Sequence, residues 1–71
     1  MSILELFKES GYSIKGYAAK NKLDYETLKK VLHGIYEGKR KGQARECVEA
    51  LYRDGLLPPQ HPMHSKIAEV A

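Results

Sequence analysis

Six of the chain's basic residues, Lys29, Lys30, Lys39, Arg40, Lys41 and Arg45, lie between positions 29 and 45 and face only one acid there, Glu37. That segment carries +5 of formal charge; the whole chain carries +3, so the remainder is −2. Positive charge gathered in about a quarter of the length leans towards a polyanionic partner without requiring one. A second chemical possibility overlaps the start of the segment. The stretch LDYETLKKVLHG, residues 23–34, has helical periodicity, with Tyr25, Glu26, Lys29 and Lys30 on its outward side. Such a face is either solvated or reads a surface.

Other chemistries fit less well. His61 and His64 in HPMH resemble a metal pair, but no acidic ligands cluster with them, and Cys47 falls among apolar helical positions where it reads as a small buried hydrophobe. Neither a metal nor a cofactor is expected. There is no G-x-x-x-x-G-K-[ST] phosphate loop and no nucleophile paired with a base, so the chain is not expected to be an enzyme. Tyr12, Tyr17, Tyr36 and Tyr52 read as core or rim aromatics, with Tyr25 the exception. Glu46, Glu49 and Asp54 belong to the solvent side or the end of a helix.

Seventy-one residues make one domain, in the range where a single core is small. One cysteine excludes an internal disulfide and fits a reducing compartment. No apolar run is long enough to span a bilayer, and MSILELFKES lacks the pattern of a signal peptide. A cytoplasmic protein with no membrane partner is the expectation.

The elements that must position these residues are helices. Ser2 caps a first helix through Ser10, which Gly11 stops. Ser13 caps a second over residues 14–21, a break follows at Asn21 and Lys22, and Asp24 caps a third running from Tyr25 to about His33, closed by Gly34. Residues 35–42, IYEGKRKG, read as a loop. Ala44, Cys47, Val48 and Leu51 fall at the spacing of a fourth helix over residues 43–54, ended by Gly55. Leu56 and Leu57 fold back on the helices. PPQHP interrupts regular structure, and residues 63–71 form a short tail helix capped by Ser65. The expected fold is therefore all-α, a compact four- to five-helix domain over residues 1–57 with a proline-containing tail at 58–71, the tail and fourth helix offering a dimer surface.

Two short helices separated by a tight break, the second capped by Asp24, outline a helix-turn-helix. SIKGYAAKNKLDYETLKKVLHG, residues 13–34, resembles the corresponding unit of phage repressor and Cro-like transcriptional regulators: Ala18 is the small buried residue, Leu23 the apolar turn residue, Asp24 the cap, and Leu28 and Val31 the inward residues of the recognition helix. The turn departs from the family at Lys22, where glycine is usual, and at Asn21. One of these two must adopt the left-handed conformation, at a cost of about 1 kcal/mol for a residue with a side chain.

The resemblance implies a sequence-specific DNA-binding regulator of transcription, a repressor of phage or mobile-element type. It implies base contacts from Tyr25, Glu26, Thr27, Lys29, Lys30 and His33 in a major groove: Lys29 or Lys30 to guanine, Glu26 to cytosine N4, Tyr25 to a thymine methyl or a phosphate. Ser13 and Lys15 at the start of the preceding helix, with Lys39, Arg40 and Lys41, would then contact phosphates. The implied partners are double-stranded DNA and a second copy in a two-fold dimer. Two other functions fit the same helices: a protein interaction module such as an antirepressor or adaptor, and an architectural DNA-binding protein like the recombination directionality factors.

Overall fold

Three helices begin at a side chain that accepts from a free amide of the first turn. In the computed structural model, which describes residues 2–70 with the side chain of Val70 excepted, Ser2 accepts from the Glu5 amide at 3.2 Å and Ser13 from that of Gly16 at 3.0 Å; Asp24 accepts from that of Thr27 at 2.9 Å. These amides have no partner within their own helix, so each cap satisfies a donor that would otherwise need water. The helices so started are α1 (Ile3–Glu9), α2 (Ile14–Lys20) and α3 (Tyr25–Leu32); α4 (Gln43–Arg53) and α5 (Pro62–Val70) follow. Among the described residues there is no strand. The chain is all-α, and its radius of gyration of 10.8 Å is close to the roughly 11 Å of a compact chain of this length.

The ends of α2, α3 and α4 share one device. A residue in the left-handed region follows the C-cap, and its amide and the next turn back onto the last turn of the helix. The outer bonds run from Leu23 to the Ala18 carbonyl at 2.8 Å, Ile35 to Lys30 at 2.9 Å and Leu56 to Leu51 at 2.7 Å. The inner bonds run from Lys22 to Ala19 at 3.4 Å, Gly34 to Val31 at 3.1 Å and Gly55 to Tyr52 at 3.1 Å. This is the Schellman arrangement. Glycine holds the left-handed position after α3 and α4, and Gly11 holds it after α1, as the sequence suggests. After α2 the position belongs to Lys22, at φ 56°, with Asn21 at φ −101°. Lys22 therefore takes the strained conformation, and the turn keeps the register it would have with glycine.

One core joins the elements. Phe7, Tyr17, Ala18, Leu28, Val31, Leu32, Cys47, Val48 and Leu51 bring α1 to α4 together, with α3 packed against the other three. Leu56, Leu57, Met63 and Ile67 complete it, laying α5 on α4. Leu56, Leu57 and Met63, expected to contribute to a dimer surface, are buried against their own chain, at 6 % and 4 % exposure for the two leucines and 0 % for the methionine. The tail helix also starts earlier than expected. Pro62 opens it, where a missing amide costs nothing and φ is already helical, and Ser65 lies in its interior. His61 supplies the acceptor instead, its Nδ1 taking the Met63 amide at 3.0 Å. Met1 and Ala71, to which the expected outer bounds extend, lie outside the described residues.

The loop between α3 and α4 is anchored at its middle. Gly38 is buried at φ 80°, and a Cβ there would stand 2.8 Å from Val48 Cγ2 and 3.2 Å from the Ala44 carbonyl oxygen. The backbone can lie this close to α4 only without a side chain.

Candidate nucleic-acid interface

α3 divides cleanly between an inner and an outer face. Leu28, Val31 and Leu32 are buried, while Tyr25, Glu26, Lys29, Lys30 and the C-cap His33 are exposed. Glu26, Lys29, Lys30 and His33 line one shallow concavity together with Ile35. Tyr25 stands beside them at the helix start, 40 % exposed. Thr27 departs from the expected set. It is half-buried, and its hydroxyl lies 2.8 Å from Asp24 Oδ2 and 3.2 Å from Gln43 Oε1. Its contribution is to close the start of α3 and tie it to α4, since both neighbours accept its single proton. The amide and hydroxyl of Thr27 hold the Asp24 carboxyl below the usual carboxylate range, in that order of effect.

The Lys30 ammonium sits 5.5 Å from the centroid of the Tyr36 ring, a cation–π distance. The ring thus keeps the charge at the C-terminal end of α3. Lys39, Arg40 and Lys41 are exposed along the loop and line a second shallow concavity, again with Ile35. Two of the six clustered basic residues have acid neighbours: Lys39 is 3.4 Å from Glu37, and Arg45 is 3.5 Å from Glu49. The Lys39 pair is exposed on both sides and contributes little, so a phosphate can replace Glu37 readily. Ser13 and Lys15 lie at the start of α2 and line neither concavity; the Ser13 hydroxyl oxygen is occupied as a cap.

Behind this surface, a polar network locks the turn. The Tyr17 hydroxyl donates to Asp54 Oδ2 at 2.7 Å, Arg53 lies 3.3 Å from the same oxygen, and Arg53 also donates to Asn21 Oδ1 at 2.6 Å. Asn21 Nδ2 in turn donates to the Tyr17 carbonyl at 3.0 Å. Burial, and then the Asp54 carboxylate, push the Tyr17 phenol well above its ordinary value, so it is neutral and donates. The Tyr17 and Arg53 hydrogen bonds hold Asp54 below the usual carboxylate range. The α2–α3 turn is thereby fastened to the last turn of α4.

Tyr17 is the core aromatic expected, while Tyr12 and Tyr36 are rim residues at 39 % and 41 % exposure. Cys47 is fully buried, and burial raises its thiol to about 11. Among the described residues no group of His, Cys, Asp and Glu is placed to hold a metal, and no helix is long and apolar enough to cross a membrane. Ile35 is the surface residue that the candidate set lacks. Its signal in the sequence is an aliphatic side chain just past the Gly34 stop, at the head of an otherwise polar loop. Comparison with protein-family models, characterised proteins and solved structures finds no match for this chain.

Proposed function

We propose that the chain is a sequence-specific DNA-binding regulator of transcription, of the phage or mobile-element type, that lays α3 in the major groove of double-stranded DNA. The observation that carries this reading is the exposed outer face of α3: Glu26, Lys29, Lys30 and His33 share one concavity, which meets the Lys39–Arg40–Lys41 loop at Ile35. A helix of about 10–12 Å diameter matches a groove about 12 Å wide. Lys29, Lys30, His33 and Glu26 supply donors and an acceptor for base edges, and the loop supplies charge for the phosphates alongside. Two copies on a two-fold site would double the few contacts one short helix makes.

Exposed Tyr25, Ile35 and Tyr36 also suit a protein-docking module such as an antirepressor or adaptor. Mobility shifts on duplex DNA over a salt series separate the two. Under the DNA reading, Lys29→Ala with Lys30→Ala removes preference for a selected site. Replacing Lys39, Arg40 and Lys41 by Ala weakens all sequences alike and flattens the salt dependence by roughly 0.9 in logarithmic slope for each phosphate no longer neutralised. Absence of binding at low salt favours the docking module, and bending of the duplex over clustered sites favours an architectural role.

A further inference from the structure

Four residues occupy the place just beyond a left-handed helix stop, and three of them pack. That position normally returns an apolar side chain to the last turn of the helix it ends. Leu23 after α2 is packed against the core, Leu56 after α4 is 6 % exposed, and Tyr12 after α1 lies edge-on to Tyr17 with ring centroids 5.1 Å apart. Ile35 after α3 is 66 % exposed. Its backbone is nevertheless fixed, by the 2.9 Å bond from its amide to the Lys30 carbonyl and by the seating of Gly38 on α4 three residues later. An exposed apolar side chain on an already ordered backbone is poised for contact with something else, because the backbone ordering that would oppose burial is in place.

The surroundings select the partner. Ile35 is the residue shared by the concavity of Glu26, Lys29, Lys30 and His33 and by that of Glu37, Lys39, Arg40 and Lys41, and in each the basic residues outnumber the single acid. An apolar knob between two flanks of net positive charge complements a surface that is anionic at its edges and offers a small apolar group between them. Duplex DNA presents such a group in its major groove, the 5-methyl of thymine. We infer that Ile35 is a specificity-determining residue whose side chain packs on a thymine methyl at the C-terminal end of α3. This rests on the DNA-binding reading above.

The test uses the full chain and a fluorescent duplex carrying the site that the wild-type protein enriches from random-sequence DNA. Each thymine is replaced in turn by uracil, which removes only the methyl. One such replacement weakens wild-type binding roughly fourfold, the effect of one buried methyl group, and Ile35→Ala weakens binding to the thymine site on the order of tenfold. In Ile35→Ala the same uracil costs nothing further, and the melting temperature is unchanged because the side chain is exposed. If Ile35→Ala binds as tightly as wild type, the inference fails while the DNA reading stands. If it binds more weakly but every uracil penalty persists, the thymine contact is wrong. If the wild-type protein binds no duplex at low salt, the DNA reading itself falls.

Discussion

Lys22→Gly should make this protein more stable, and the expected gain follows from the turn. Lys22 sits at φ 56° while every other left-handed position among the described residues is glycine. Holding a residue with a Cβ there costs roughly 1–2 kcal/mol. Glycine removes that cost but enlarges the freedom of the unfolded chain, which returns roughly 0.4–1 kcal/mol. The net gain is about 0.5–1 kcal/mol. For a domain of this size that corresponds to a rise of about 3–6 °C in melting temperature. The exposed Lys22 side chain makes no ion pair among the described residues, so its removal contributes little. Lys22→Ala supplies the control, since it deletes the charge and keeps the strain; it should stay within about 0.5 kcal/mol of wild type. Urea and thermal unfolding followed by circular dichroism measure all three proteins. Equal stability of the Gly and Ala variants would refute the reasoning, because the left-handed backbone would then carry no cost.

Gly38 and Gly34 both have φ 80°, but a Cβ meets Val48 at 2.8 Å in the first and nothing within 4 Å in the second. Gly34→Ala should therefore cost only the backbone strain of about 1–2 kcal/mol, and Gly38→Ala a further 1–3 kcal/mol from overpacking; equal losses in denaturant titrations would show that the loop is not seated on α4. His61 accepts the Met63 amide through Nδ1, which requires the unprotonated ring, and burial lowers its pKa below the ordinary 6.5. The unfolded chain takes up that proton more readily, so the His61 contribution is present above pH 6.5 and is lost as pH falls below it. Melting temperatures measured across that range should fall less steeply in His61→Asn, whose side-chain oxygen can accept the same amide without titrating; an unchanged slope would remove His61 as the cause.

The helix starts at Ser2, Ser13 and Asp24 were legible because a cap is a contact between residues three apart, decided within one turn. Gly11, Gly34 and Gly55 were legible for the same reason. The inward residues of α3 and α4 followed from spacing alone. What escaped depended on distant partners. Leu56, Leu57, Met63 and Ile67 are apolar whether they meet their own chain or another, and only the packing of α5 on α4 decides between them. Thr27 looks like one more outward polar residue until Gln43, sixteen positions later, comes within reach of its hydroxyl. Ser65 carried the usual sign of a helix start, whereas the acceptor that heads α5 is a histidine nitrogen, outside the residue types that sequence rules favour there. Gly38 reads as one more residue of the loop, but its lack of a side chain serves close packing.

The network around Asn21 has a consequence for transplantation. A synthetic peptide of α2 and α3 would carry every α3 residue of the proposed reading face, yet Asn21 Oδ1 would be without Arg53 and the Tyr17 hydroxyl without Asp54, both from the end of α4. The strained Lys22 would then be left to hold the angle between the two helices without its brace. Grafting the face onto another scaffold therefore requires the last turn of α4 to travel with it, so the portable unit of this protein is three helices with a gap in sequence between the second and third.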